Sequence, residues 1–117
     1  MDEGTTVEFL ESFAAAWNRH DLDAIMAAMT EDCVFKSSDG TDYEGREAVR
    51  REFGEILSDL PNARWGEGLH FASGDRGLSE WLFSATGEDG VRFEMKGCDV
   101  FVFRDGKIAC KDTYLKQ

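Results

Sequence analysis

The sequence is short of the residues that most catalytic chemistry relies on. Its 117 residues include two histidines, His20 and His70, and three cysteines, Cys33, Cys98 and Cys110. No Cys-x-x-Cys spacing and no i,i+4 histidine pair occurs, so no metal site and no cofactor is expected. An odd, scattered set of thiols is expected free, reduced and mostly buried. A glycine-rich phosphate loop and a nucleophile elbow are both missing. Apolar runs reach only a few residues, far short of the ~20 that a membrane-spanning helix needs. Positive charge is scarce: 13 Lys and Arg stand against 24 Asp and Glu, a net charge of −11. Such a surface repels nucleic acid and anionic lipid and argues against both as partners. Met1-Asp2-Glu3-Gly4 lacks the basic and apolar parts of a signal peptide, which predicts a cytoplasmic location. No repeat, linker or composition shift is visible, so one domain over 1–117 is expected.

What is present reads as helices first and strands after. Phe9, Leu10, Phe13, Ala14, Ala16 and Trp17 recur at helical spacing and predict a helix over about 7–17, with Thr5 and Glu8 at capping-box separation. His20 falls in the short connection that follows and is expected exposed. Asp21 predicts the cap of a second helix with Leu22, Ile25, Met26 and Met29 on one face. Cys33 to Ser37 reads as a strand, and Asp39-Gly40 as a turn. A third helix is predicted over about 46–57, burying Val49, Phe53, Ile56 and Leu57. Its Arg and Glu residues form a solvated face with pairs such as Glu47–Arg51. Pro61, the single proline, stops it. Four strands follow, over 64–73, 78–86, 91–103 and 107–116, with Asp105-Gly106 a strong hairpin signal. The order α-α-β-α-β-β-β-β predicts an α+β fold, helices on one face of a mostly antiparallel sheet.

The stretch Val91 to Phe103 organises the rest. Along a strand, side chains alternate between faces. Val91, Phe93, Met95, Gly97, Phe101 and Phe103 share one face with a single carboxylate, Asp99. Either Asp99 points into an apolar pocket, or a bulge near Gly97 turns it outward.

Four segments carry a family resemblance: Ala16-Trp17-Asn18-Arg19-His20-Asp21-Leu22-Asp23; Met29-Thr30-Glu31-Asp32-Cys33-Val34-Phe35; Tyr43-Glu44-Gly45-Arg46-Glu47-Ala48-Val49; and Gly97-Cys98-Asp99-Val100-Phe101 through Asp105-Gly106-Lys107-Ile108. In this order they resemble the nuclear transport factor 2-like superfamily, in its SnoaL-like polyketide cyclase and ketosteroid isomerase branch. The resemblance implies a cone in which a strongly bent sheet, with three helices on its concave face, encloses one pocket. It also implies a homodimer through the outer sheet face. The isomerases use a helix-borne Tyr, an Asp base and a protonated Asp at the oxyanion. Here Phe13 and Ser37 stand at the first two positions and Asp99 matches the third, so steroid-type isomerisation is not expected. The Asp-Arg-Asp set of limonene epoxide hydrolase, which shares the fold, is not found.

The hairpin decides the neighbour of Asp99. A two-residue Asp105-Gly106 turn sets Asp99 against Asp112, a possible acid/base pair of carboxylates. A three-residue loop sets it against Lys111, which would hold it ionised; the resemblance favours this register, with Ala109, Lys111, Thr113 and Leu115 inward. Asp99 and Lys111 are thus the candidate catalytic pair, and a plain buried ion pair is the alternative. The expected pocket wall is Phe13, Trp17, Phe35, Phe53, Phe93, Met95 and Phe101, with Tyr43 and Trp65 at its mouth. His70 lies on the opposite face of its strand from Leu69 and Phe71; if those face the core, it faces solvent.

Three functions fit: a cofactor-free acid/base enzyme of the cyclase/isomerase type on an apolar ketone-like substrate, a small-ligand or partner-binding module, or a dimeric domain with a filled cavity. The dimer face is expected to gather Cys98, Val100, Val102, Trp81, Phe83, Ile108, Cys110 and Tyr114. A one-residue shift in strand pairing would instead send Trp81 and Phe83 into the pocket.

Overall fold

A computed structural model describes residues 2–116 of the chain. Helix α1 (Glu3–Asn18) begins three residues earlier than the capping box suggests, because the Asp2 carboxylate accepts the Thr5 N–H at 2.7 Å and caps it instead. It buries Thr6, Leu10, Phe13, Ala16 and Trp17. Helix α2 (Leu22–Ala27) is capped by Asp21, which accepts from the Ala24 N–H at 3.1 Å. Met29, expected on that helix, instead opens strand β1 (Met29–Lys36), with Ser37 just beyond its end. A short strand, β2 (Asp42–Glu44), had no signal in the sequence and makes the order α-α-β-β-α-β-β-β-β. Helix α3 (Arg46–Asp59) follows Gly45, whose φ of 89° suits glycine. Val49, Phe53 and Leu57 are its buried residues. The exposed Glu47–Arg51 pair is made at 3.5 Å.

The remaining strands are β3 (Arg64–Ser73), β4 (Arg76–Thr86), β5 (Arg92–Arg104) and β6 (Lys107–Leu115). The sheet order is β2-β1-β6-β5-β4-β3, antiparallel throughout except for the parallel β1/β6 pair. One face carries Phe35, Phe101, Phe103 and Ile108, which pack with Leu10, Phe13, Trp17, Ile25, Val49 and Phe53 of the helices into one buried cluster.

Two registers differ from expectation. In the β5–β6 hairpin, Asp105 (φ 54°) and Gly106 (φ 75°) form the two-residue turn between paired Arg104 and Lys107. Ala109 is then an extra residue: Phe103 pairs Ile108, but Val102 pairs Cys110. Asp99 therefore faces Thr113, neither Asp112 nor Lys111. The two-residue turn, ahead of that bulge, sets Ile108 against Phe103 and carries it into the core, where it is fully buried, rather than onto the outer face. In the β4–β5 hairpin, Trp81 pairs Gly97 and Phe83 pairs Met95. Trp81 and Phe83 thus share the inner face with Asp99, correcting their placement on the outer one.

The connection after α1 is fixed by side chains. Asn18 accepts the Trp65 N–H at 2.8 Å and donates to the Trp65 carbonyl at 3.0 Å. His20 is half-buried rather than exposed, its Nε2 2.8 Å from the Ala63 carbonyl. Between Gly66 and Leu69 the β3 register slips, with Glu67 at φ 53°. Beyond that slip Leu69 and Phe71 turn outward, 53 % and 52 % exposed, and His70 turns inward. The two sets lie on opposite faces, as alternation requires, but with inside and outside exchanged. No helix is long and apolar enough to cross a membrane among the described residues.

Candidate functional site

Asp99 lies in the middle of β5 on the helix-covered face, buried with 6 % of its surface exposed. The strand is continuous through Gly97, with no bulge to turn the carboxylate out. Three donors hold it. Lys111 Nζ is 3.0 Å from Oδ1, the Thr113 hydroxyl donates to Oδ1 at 2.5 Å, and the Trp81 indole N–H donates to Oδ2 at 3.0 Å. Lys111 also donates to Thr113 Oγ1 at 2.9 Å. Thr113 therefore accepts a hydrogen bond from the ammonium and donates one to the carboxylate. A buried ion pair loses hydration on both partners and needs such extra bonds to hold.

Register explains the grouping. Thr113 is directly opposite Asp99, and Lys111 and Trp81 are its diagonal neighbours on β6 and β4. Gly97 is what lets Trp81 in: a Cβ there would lie 2.6 Å from two Trp81 ring carbons and from the Tyr114 carbonyl. The Lys111 ammonium is ringed by Phe35, Trp17 and Phe53, at 4.8, 5.2 and 5.6 Å from their centroids. Ring faces attract a desolvated cation, which offsets part of the cost of burying it.

Beside this group is a cavity of about 160 Å³. Its wall includes Asp99, Lys111, Phe13, Trp17, Phe35, Trp65, Met95 and Phe101 from the expected set. Phe53, Tyr43 and Phe93 lie outside it. Phe53 is fully buried behind Trp17 and Phe35, Tyr43 stacks on the far side of Phe35 at 5.8 Å, and Phe93 is 37 % exposed, 6.0 Å from the Phe83 ring. Ser79, Trp81, Phe83, Thr113 and Leu115 complete the sheet side, and Leu10, Ala14 and Ile56 the helix side. Ser37 and Ser38 also line it, so the position matched to the isomerase base does reach the cavity, with a hydroxyl in place of a carboxylate. The Trp17 indole N–H is buried and has no hydrogen-bond partner among the described residues.

The other titratable groups do less. Burial pushes all three thiols, Cys33, Cys98 and Cys110, above their ordinary pKa, which keeps them protonated and weakly nucleophilic. No cluster of three or more His, Cys, Asp or Glu side chains suited to a metal occurs among the described residues.

Comparison with known proteins places this arrangement. The SnoaL-like domain family matches the chain over residues 10–110. A provisionally assigned polyketide cyclase from Xanthomonas campestris pv. campestris superposes with a TM-score of 0.88 at 21% identity, covering 97% of this chain and 91% of that one. TerC, co-crystallised with polyporic acid, gives 0.84 at 16% identity, over 96% and 92% of the two chains. A ketosteroid isomerase-like protein from Catenulispora acidiphila DSM 44928, in complex with trimethylamine, gives 0.82 at 17% identity, over 92% and 84%. No curated protein matches the chain by sequence. At such identities the superpositions establish the fold and not the chemistry. The family match spans most of the chain: it belongs to the SnoaL-like domain family and has the nuclear transport factor 2-like fold.

Proposed function

We propose that the protein is a cofactor-independent acid/base enzyme of the cyclase/isomerase type, acting on an apolar ketone-like substrate through Asp99. One observation carries the reading: a carboxylate and an ammonium 3.0 Å apart in the wall of an otherwise apolar cavity. Of the roughly four lone-pair positions on the Asp99 carboxylate, three are occupied by Lys111, Thr113 and Trp81, leaving one on Oδ2. That position takes the proton from the carbon next to the substrate carbonyl. The C–H electrons move onto the carbonyl oxygen, and the Lys111 ammonium stabilises the enolate charge, which counts for most in a dry site. Asp99 then returns the proton to a different carbon, completing an isomerisation. Alternatively the enolate carbon attacks a second carbonyl of the same molecule, and the proton goes to the new alkoxide. A fold relative co-crystallised with polyporic acid and another in complex with trimethylamine support a small-molecule ligand.

The test is exchange of the α-hydrogens of 2-tetralone in D2O, followed by NMR. Wild type is expected to accelerate exchange, and Asp99→Asn, held below its Tm and shown folded by far-UV circular dichroism, to abolish the acceleration. Equal exchange in both proteins, with a large fall in Tm for the variant, overturns the reading. That outcome supports the second one, a binding module in which Asp99–Lys111 is structural, which the near-complete pairing of the carboxylate favours. Both readings include a homodimer through the outer sheet face, where Leu69, Phe71 and Tyr114 are exposed. Both also include a cytoplasmic location, which three unpaired thiols suit.

A further inference from the structure

The cavity has a second polar group that the mechanism above does not use. Ser79 is 95 % buried (5 % exposed) and lines the cavity from β4. It stands directly opposite Asp99 in the β4–β5 ladder, which sets their Cβ atoms about 5 Å apart on the same face. No hydrogen bond joins the two. The described partner of the Ser79 hydroxyl is His70 Nδ1, at 2.7 Å. A hydroxyl has one proton and two lone pairs, so one contact leaves Ser79 with capacity to spare toward the cavity.

His70 is built to hold that hydroxyl. The register slip after Gly66 is what turns its ring inward. Gly68 leaves the room, since a Cβ there would lie 3.1 Å from His70 Nε2. Burial lowers the His70 pKa and outweighs the opposing pull of the Glu11 carboxylate on α1, so the ring is neutral at pH 7. A neutral ring whose Nδ1 accepts the hydrogen bond of the Ser79 O–H leaves the serine lone pairs turned to the cavity; an Nδ1–H donor leaves the serine O–H free to turn there instead. Either way the imidazole fixes the direction of the group.

We propose that Ser79 is a second ligand-binding contact of the cavity, taking a ligand oxygen about 5 Å from the one at Asp99–Lys111, with His70 as its positioning residue. The inference rests on the reading of the cavity as a ligand site. It adds a requirement for a second, spaced oxygen, which the isomerisation route does not need and the cyclisation route leaves unplaced.

Calorimetric titration with 1,3-dihydroxynaphthalene, 1-naphthol and 2-naphthol tests it. The two hydroxyls of the diol are separated by about the spacing of the Asp99 and Ser79 side chains. Wild type is expected to bind the diol about tenfold more tightly than either naphthol, the effect of roughly one added hydrogen bond. Ser79→Ala should remove that advantage while leaving both naphthols bound as before. His70→Ala should remove most of it, and His70→Asn, whose amide can still bond Ser79, should restore it; a merely structural histidine gives no such rescue. Equal binding of diol and naphthols by wild type, or equal weakening of all three by Ser79→Ala, overturns the proposal and leaves the Asp99 reading standing. Failure of wild type to bind any of the three overturns the ligand-site reading and this inference with it.

Discussion

The two faces of the sheet are made from the same strands but follow different rules. The inner face is covered by helices and holds its polar groups in closed sets: Asp99 with Lys111, Thr113 and Trp81, and Ser79 with His70. The outer face carries no such sets. Its side chains, Leu78, Leu82, Val100, Val102 and Cys110, are half-buried, and its polar contacts, such as the Tyr114 hydroxyl donating to Asp112 at 3.1 Å, are exposed. On the inner face Asp99 and Ser79 are each held by fixed neighbours, so an added atom beside them has little room. On the outer face the side chains have fewer fixed partners, and a substitution meets less resistance.

That contrast can be broken most severely at Gly97. Gly97→Ala puts a methyl 2.6 Å from Trp81 and the Tyr114 carbonyl. A shift of Trp81 removes a donor from Asp99 as well, so the cost is expected at about 3 kcal/mol, measurable by urea unfolding. A variant as stable as wild type would mean that the indole does not sit where Gly97 admits it. Val100→Glu, on the opposite face of the same strand, should change the unfolding free energy of the monomer by only about 0.5 kcal/mol. Its expected effect is on sedimentation, turning a dimer into a monomer; a wild type that sediments as a monomer at micromolar concentration removes the dimer from the account. The smallest effect belongs to His70. Its pKa in the folded state is lowered by burial, so the unfolded chain takes up the proton more readily as pH falls below the ordinary histidine value near 6.5. The histidine therefore contributes stability above that value that is lost toward pH 5. His70→Asn should show a shallower fall in Tm between pH 7 and pH 5 than wild type; equal slopes would mean that His70 is not buried.

The contrast also sets what could be read in advance. The helix stripes of α1 and α3, the four long strands and the inward aim of Asp99 were legible, because apolar periodicity encodes which face is covered. Which strands share a face depends on counting loop residues. Thr86 and Arg92 pair across five residues, 87–91, and an odd loop keeps odd residues opposite odd ones. That count would have placed Trp81 beside Asp99. The Ala109 bulge was not legible, because nothing in Ile108-Ala109-Cys110 distinguishes an extra residue from a paired one. Two slips cancel there: an even turn exchanges the faces and the bulge exchanges them back, so Lys111 faces inward and pairs with the Asp99 carboxylate as expected, although Phe101 rather than Asp99 stands directly opposite it. His70 was misplaced for the same kind of reason, since the slip at Gly66–Leu69 reverses the rest of β3. Ser79 had no signal before the faces were assigned.

The Asn18 side chain has a consequence for how the sheet ends. β3 is the last strand, and a last strand offers unpaired backbone groups on which another strand can grow. At Trp65 both groups are already taken, the N–H by the Asn18 oxygen at 2.8 Å and the carbonyl by its amide at 3.0 Å. One side chain thus serves as a single residue of a seventh strand and closes that position to polymerisation. Asn18→Ala is expected to fail by concentration-dependent aggregation, detected by light scattering at temperatures where its far-UV circular dichroism is still native, rather than by simple unfolding. The amide that ties helix to sheet thus leaves no free backbone group at Trp65 for another strand to pair with.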